Sequence, residues 1–387
     1  MYEEVKLHEP GRYHLGVSWH LYEMLFFIAA YLHGMEDAEQ HMMERVLIDL
    51  NIGGLIMFER YLGKGNVIGA TATESSDNGL LLMYSSVDGK HFLKSYDKFR
   101  TISEEWTVPL DSLTASANLF RLKDGRLMML VREISKLENI AKIGGADFYI
   151  TFSKDDGHTF EKLQRINNEE KCYYIMNNRI IRTHIGRILI PVCYVPDECV
   201  NATYFEKSGY SGCFYSDDEG KTWNVSGWVE GKNVDQLAEP MVVQGAEEVI
   251  HMYMRTGYGY LYHSESCDNA ITWKEEQKSM LRSPCAPFCV SYDKYSKKFF
   301  AVWDNSFPAP EHQYPRSPIC LAVSEDCVNW RMCLELDNNP MHSYGYPMIY
   351  FDEEEILVFY YENDSRKFNP RDHRLKMKSF SRMELNI

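Results

Sequence analysis

Ser216-Asp217-Asp218-Glu219-Gly220-Lys221-Thr222-Trp223 is a turn spelled out in side chains, and it recurs along the chain. Ser153-Lys154-Asp155-Asp156-Gly157-His158-Thr159-Phe160 repeats it in type. Weaker copies run from Ser85 to Phe92, where Val87 replaces the first Asp, from Ser266 to Trp273, where Ala270 replaces Gly, and from Ser324 to Trp330, one residue short. Each follows an apolar run such as Leu81-Leu82-Met83-Tyr84 or Phe214-Tyr215. Asp and Ser side chains accept hydrogen bonds from the turn backbone, Gly takes the positive-φ position, and the final aromatic packs beneath. The copies start 68, 63, 50 and 58 residues apart, so the chain reads as a repeat protein.

The residues between copies are strand pairs. Ala117 to Leu122 and Leu127 to Val131 flank the turn Lys123-Asp124-Gly125-Arg126, and Asn178 to Arg182 and Ile188 to Cys193 flank His184-Ile185-Gly186-Arg187. Two such strands ahead of each turn, and two around it, make a four-stranded blade. At about 60 residues per blade, 387 residues hold six. One stretch differs. From residue 13 to 50, Trp19, Tyr22, Met24, Leu25, Ile28, Ala29, Tyr31 and Leu32 recur at helical spacing, and Met35 to Leu50 is acidic and Met-rich. Gly34 and Gly53-Gly54 punctuate it. The predicted fold class is therefore all-β, a six-bladed β-propeller with a short helical N-terminal insertion or extension. Residues 1–52 are expected as a helical or irregular segment packed on a propeller of residues 53–387, and its helices could also carry homo-oligomer contacts.

Composition narrows the partners. Lys plus Arg number 41 against 56 Asp plus Glu, a net charge of −15 that argues against nucleic acid. An anionic ligand would need a local cluster of Arg to overcome that field. The 26 Tyr and 7 Trp suit blade packing and sugar stacking alike. The ten Cys contain no CxxC pair and no metal-like Cys/His spacing, and neither a metal nor a cofactor is called for. Met1-Tyr2-Glu3-Glu4 opens no basic leader, and the apolar run Met24 to Leu32 is too short to span a membrane. Reduced thiols in a cytoplasm are the simplest expectation, without a membrane partner.

The repeats resemble the Asp-box, or BNR, repeats of the sialidase (neuraminidase) superfamily. The resemblance runs from about residue 75 to the C-terminus and takes in Ala238-Glu239-Pro240, Met254-Arg255-Thr256, Ser283-Pro284-Cys285-Ala286-Pro287, Arg316-Ser317-Pro318-Ile319 and Tyr344-Gly345-Tyr346-Pro347. The last strand, Arg374 to Phe380, looks like the family's closing segment, which completes a blade with material from near the N-terminus.

The resemblance implies roles. Tyr346 matches the catalytic tyrosine nucleophile, with Tyr344 two residues away, and Glu239 matches the glutamate that polarises the phenol. The chemistry needs such a pair, because a Tyr of pKa near 10 attacks an anomeric carbon only with a base at hand. Arg255 and Arg316 match the second and third arginines of a carboxylate clamp, where the planar fork binds in bidentate fashion. The family's first clamp arginine lies in an Arg-Ile-Pro tripeptide that this chain lacks, and no motif singles out its acid/base Asp. Glu59, Arg60 and Asp77 are candidates by position only. Asp304, on the long Pro-rich loop from Trp303 to Arg316, and Asp111 are candidate general acids, each equally readable as a turn-capping Asp. His342 could donate to a sugar hydroxyl, and Asn118 and Arg179 begin inner-type strands that could reach the cavity. The expected function is a sialidase-like glycoside hydrolase that releases a terminal acidic sugar from a glycan with retention. The alternatives are a propeller hydrolase or lyase for a uronic acid or rhamnose, and a non-catalytic glycan-binding propeller.

Overall fold

The apolar runs between turns become strands, and every regular element among the described residues is a strand. The structure is a computed structural model that describes residues 50–52, 55–64, 67, 69–86, 89–109, 113–134, 146–167, 169, 171–195, 209–234, 236–307, 316–365, 373–383 and 385. Strands β1 (Leu50–Ile52) and β2 (Leu55–Lys64) come first. Blade 1 is β3 (Ala70–Glu74), β4 (Leu80–Ser86), β5 (Gly89–Ser95) and β6 (Glu104–Val108). Blade 2 is β7 (Leu113–Arg121), β8 (Leu127–Ile134), β9 (Ala146–Ser153) and β10 (Gln164–Arg165). Blade 3 has a broken inner strand, β11 (Cys172–Tyr174) and β12 (Ile181–Arg182), then β13 (Ile188–Val195), β14 (Tyr210–Ser216) and β15 (Asn224–Val225). A single β11–β9 pair, Tyr173 with Ala146, joins blades 2 and 3 into one sheet.

Blade 4 is β16 (Ala238–Gln244), β17 (Ile250–Arg255), β18 (Tyr260–Ser266) and β19 (Gln277–Arg282). Blade 5 is β20 (Cys289–Asp293), β21 (Lys298–Asp304), β22 (Ile319–Ser324) and β23 (Arg331–Asp337). Blade 6 is β24 (His342–Phe351), β25 (Glu355–Asp364) and β26 (Arg374–Ser381), completed by β2, which pairs antiparallel with β26. The closing segment thus recruits N-terminal material, as its resemblance implied. Side chains lock the seam: Glu59 of β2 meets Lys376 at 2.9 Å and Lys378 at 3.1 Å, and Lys376 also reaches Asp337 of blade 5 at 2.8 Å.

The core lies between blades. Separate apolar clusters join blades 1 and 2 around Phe92 and Met129, 2 and 3 around Phe148 and Ile190, and 3 and 4 around Leu189 and Met252. Others join 4, 5 and 6 around Tyr253 and Phe300, and 6 and 1 around Phe359 and Leu82. Second strands are covered on both faces, which is why Leu81 to Tyr84 and Ile188 to Val192 read as continuous rather than alternating apolar runs.

Two expectations need correction. No helix occurs among the described residues, which are all-β, so the helical N-terminal insertion or extension does not stand as part of the fold class. At the described end of the stretch read as helical, Leu50–Ile52 is a strand whose Ile52 pairs with Leu55, so Gly53-Gly54 falls at a two-residue hairpin spacing. The remainder of that stretch lies outside the described residues. The copy at Ser85 to Phe92 is also no box: Ser86 pairs with Gly89 in the tight β4–β5 hairpin. Blade 1 carries its box at Ser95–Thr101 instead. There the Ser95 hydroxyl accepts from Phe99 N at 2.8 Å, and Asp97 accepts from Thr101 N at 2.8 Å and Thr101 Oγ1 at 2.7 Å. Asp155 with Thr159, Asp218 with Thr222 and Asp268 with Thr272 repeat these bonds. Phe99 holds the positive φ (64°) that Gly157 and Gly220 hold elsewhere, which hid this copy.

The boxes also fasten blade to blade. Asp156 accepts from Ser76 N at 2.8 Å in blade 1, and forms an ion pair with Arg121 at 2.8 Å in its own blade. Glu219 does the same with Lys123 N at 3.2 Å and Arg182 at 2.5 Å.

Candidate active site

Strand direction sorts the chain between the two ends of the wheel. In blade 4, Ala238 pairs with Arg255, whereas Gln244 pairs with Ile250 and Ile250 with the box residue Ser266. Glu239 and Arg255 therefore share one end and the boxes lie at the other, a strand length of roughly 20 Å away. In blades 2, 3, 5 and 6 the second strand ends, and the third begins, at the Glu239 end. Farther along the inner strands, a cavity of ≈ 320 Å³ follows the axis between blades 3 and 6, lined by Ile181, Val242, Val290 and Ile349.

Three residues ahead of Ile181, Val242 and Ile349 stand Asn178, Glu239 and Tyr346, and each has a left-handed backbone with φ of 50°, 45° and 47°. This conformation is strained for a non-Gly residue, and more so before proline, which follows both Glu239 and Tyr346. The ladder registers shift at the same places, between Ala238 and Met241 and between Gly345 and Met348. Such a bulge re-aims a side chain. It separates Tyr344, buried against Tyr360 at a centroid distance of 5.9 Å, from Tyr346, whose ring is partly exposed. Gly345 is required between them, since a Cβ there would meet the Tyr361 hydroxyl at 2.9 Å.

The re-aimed groups form one charged cluster. Arg255 Nη1 donates to Glu239 Oε2 at 2.7 Å, with both side chains buried. Burial opposes the Glu239 charge, but Arg255, Arg179 and Arg316 outweigh it and hold the carboxyl below its usual range. Tyr346 is pushed up to about 12 by burial and by the Glu239 charge, against the pull of Arg316 and Arg255. Arg316 donates through Nη1 to the Tyr361 hydroxyl, and its carbonyl accepts from Tyr344 N at 3.0 Å. Burial works against the Arg316 charge, yet neighbours led by Tyr361 keep it firmly protonated.

Arg179 and Asp304 are buried with polar atoms that lack hydrogen bonds. Arg179 is 1 % exposed, and its Nε and Nη1 have no acceptor. Its backbone N donates to Asn118 Oδ1 at 2.6 Å, and its guanidinium lies 5.3 Å from the Phe288 ring, in the field of Glu239 and Tyr346. Asp304, at the end of β21, is 1 % exposed with neither carboxyl oxygen hydrogen-bonded. Burial drives its pKa well above the usual carboxylate range although Arg316 and Arg255 pull it down.

Other candidates stand elsewhere. His342 Nδ1 pairs with Glu362 at 2.5 Å, in a network with Tyr61, Arg374 and Lys376. Glu59 belongs to the β2 seam, and Arg60 donates to the carbonyls of Phe99 and Arg100. Asp77 caps the β3–β4 turn with Ser75 and Lys94. Asp111 lies outside the described residues. Sequence reasoning missed Tyr361, one of 26 tyrosines, and Asn177, whose Nδ2 donates to the carbonyl of Tyr346 at 3.3 Å. No local pattern marks either. Among the described residues, His251, His263 and Glu265 bring metal-ligand atoms within 4.8 Å of one another. The two imidazoles lie 22° from coplanar with nitrogens 3.0 Å apart and centroids 5.2 Å apart, so the lone pairs point along a ring-to-ring hydrogen bond rather than at a shared ion.

Residues 100–358 match the BNR repeat-like domain. Among solved structures, the chain is similar to a Hadza microbial sialidase at 15% identity and TM-score 0.61, covering 80% of this chain and 65% of that one. It is similar to the sialidase of Trypanosoma rangeli at 14% identity and TM-score 0.62, covering 88% and 58%. The intramolecular trans-sialidase of Ruminococcus gnavus, solved with oseltamivir carboxylate, matches at 14% identity and TM-score 0.60, covering 84% and 97%. The chain thus spans less than two thirds of the length of the first two, and at these identities the likeness is one of fold.

Proposed function

The chain belongs to the BNR repeat-like domain family and has the sialidase-superfamily propeller, and from that premise we propose that it is a retaining glycoside hydrolase for a terminal acidic sugar. The observation that carries this reading is the convergence of Glu239, Arg255, Arg316 and Tyr346 from blades 4, 5 and 6 into one mutually polarised cluster.

Tyr346 and Arg316 keep surface exposure, so a ligand meets them first. Its carboxylate would bind the guanidiniums of Arg316 and Arg255. Arg255 is then shared, Glu239 loses part of its ion pair, and its proton affinity rises. That matters, because with a phenol near 12 and a depressed carboxyl, proton transfer from Tyr346 to Glu239 is uphill in the empty site. Ligand binding narrows the gap. The Tyr346 oxygen attacks the anomeric carbon, its proton passes to Glu239, and the glycosidic oxygen departs with the bonding pair. Water then attacks the anomeric carbon and its hydroxyl stays on the sugar, Tyr346 takes its proton back from Glu239, and the water's other proton passes to solvent, balancing the one the departed oxygen takes up.

A fluorogenic aryl sialoside tests the proposal, since its phenolate leaves without strong acid assistance. Release of the fluorophore by the wild type, abolished by Tyr346→Phe and Glu239→Gln, is the expected result. Activity on aryl uronides alone would move the reading to the uronic acid alternative. Binding without turnover on either would leave a glycan-binding propeller.

A further inference from the structure

The two proposed clamp arginines are held in different ways. Arg255 is paired with the Glu239 carboxylate, which offsets its charge while orienting it. Arg316 donates through Nη1 to the phenol hydroxyl of Tyr361, and among the described residues no carboxylate forms an ion pair with it. A phenol orients a guanidinium without bringing the charge of a carboxylate. Tyr361 is itself fixed. It is 4 % exposed and lies on β25 directly cross-strand from Gly345, the residue before Tyr346. Its ring stacks on His373 at a centroid distance of 4.4 Å and an interplanar angle of 3°, and His373 Nδ1 lies 3.2 Å from the carbonyl oxygen of Val67. The same ring bears on that of Tyr346 at 5.7 Å and 42°. One buried side chain thus touches both the Arg316 guanidinium and the Tyr346 ring, and both of those residues are partly exposed.

We propose that Tyr361 is the positioning residue of the site: its hydroxyl aims Arg316 at the ligand carboxylate, and its ring sets Tyr346 in register with that anion. The inference rests on the carboxylate-binding reading above. A guanidinium carries its donors in one rigid plane, so a hydrogen bond at Nη1 orients the whole fork and leaves the other donors of Arg316 to the ligand. Holding the fork before the ligand arrives removes part of the ordering cost of binding. The hydroxyl and the ring of Tyr361 therefore do separable work. The hydroxyl acts on affinity through Arg316, and the ring acts on turnover through Tyr346.

The test measures dissociation constants for oseltamivir carboxylate in the wild type, Tyr361→Phe, Arg316→Met and the double variant. Values of kcat and KM on an acidic aryl glycoside, and a urea melt of each protein, accompany them. Tyr361→Phe loses only the hydroxyl, and it should weaken binding and raise KM about tenfold or more. Its kcat should stay within about threefold of wild type, a split that a general loosening of the fold does not produce. In the Arg316→Met background the same change should alter affinity less than about twofold, because the hydroxyl acts through that guanidinium. Where binding there is too weak to measure, kcat/KM closes the cycle. Tyr361→Leu, which also removes the ring, should lower kcat about tenfold below the Phe variant. Wild-type affinity in Tyr361→Phe would overturn the proposal, as would an undiminished loss in the Arg316→Met background or equal kcat in the Phe and Leu variants. If the wild type neither binds oseltamivir carboxylate nor turns over the glycoside, the acidic-sugar reading fails by itself. Phenylglyoxal labelling of Arg316, followed by peptide mass spectrometry, then decides whether Tyr361 holds that side chain. Faster labelling in Tyr361→Phe upholds the hold, and equal rates contradict it.

Discussion

The two ends of the wheel treat charge in opposite ways. At the box end, the capping Asp of the box is saturated: Asp155 takes hydrogen bonds from Ser153 and from Thr159 twice, and Asp218 does the same with Ser216 and Thr222. At the other end, Arg179 and Asp304 are buried with polar atoms unmatched, and Glu239 and Tyr346 hold backbone conformations that cost of order 1–3 kcal/mol each. Saturated charge builds a frame. A buried guanidinium and a buried carboxyl without hydrogen bonds mark the other end, where a ligand completes the bonding.

The largest expected effect is at the strained end and concerns rate. Tyr346→Phe should lower turnover of an acidic aryl glycoside roughly 10³-fold or more while leaving folding intact, since only a hydroxyl is removed. Steady-state kinetics beside a urea melt measures both. A variant retaining turnover would break the functional half of the comparison. Next comes Arg255→Leu, which strands the buried Glu239 carboxylate and should cost about 3–5 kcal/mol by urea unfolding. A cost near zero would mean that the pair is solvated. At the box end, Asp218→Ala removes a cap from one turn and should cost about 1–2 kcal/mol with kcat/KM unchanged. A large loss of activity there would contradict the division of labour.

The smallest effect is in pH dependence, where the two ends have opposite signs. Asp155, pulled to about 2 by its Thr159 and Ser153 hydrogen bonds against some burial, binds its proton more weakly folded than unfolded. Its contribution is present above pH ~4 and lost as pH falls toward 2. Asp304, pushed upward by burial, holds its proton more tightly when folded, so its contribution is present below pH ~4 and declines as pH rises through its folded midpoint. Chemical denaturation from pH 2 to 8 should show Asp155→Ala flattening the acid limb and Asp304→Asn raising stability toward pH 8. Matching limbs in both variants would dissolve the contrast.

What the sequence made legible follows from the same contrast. The box end is built from local bonds within seven or eight residues, so four boxes could be located from their spelling, and the fifth was displaced because Phe99 stands where the others spell Gly, Ala or, in the shortened copy, Cys. The blade count followed from the repeat, and the closing strand from the resemblance. At the N-terminus, the stretch read as helical ends in strand β1 at Leu50, and the rest of it lies outside the described residues. At the ligand end, Glu239, Arg255, Arg316 and Tyr346 stood out through the resemblance of their motifs, and of the order of those motifs along the chain, to the sialidase superfamily. Their convergence, and the presence of Arg179 and Asp304 beside them, depends on the bulges of β16 and β24 and on contacts between blades. The separation of Tyr344 from Tyr346 has the same origin: plain alternation puts both on one face, and the bulge at Gly345 parts them. Tyr361 and Asn177 act across blades and leave no local trace.

The central claim is that Tyr346, polarised by Glu239, attacks the anomeric carbon of an acidic sugar. Peptide mass spectrometry after incubation with a 3-fluorosialosyl fluoride, which slows breakdown of a glycosyl–enzyme adduct, tests it most directly. The account predicts one sialosyl adduct on the peptide containing Tyr346, absent from Tyr346→Phe. No adduct, or an adduct on another residue with Tyr346→Phe still labelled, would contradict it.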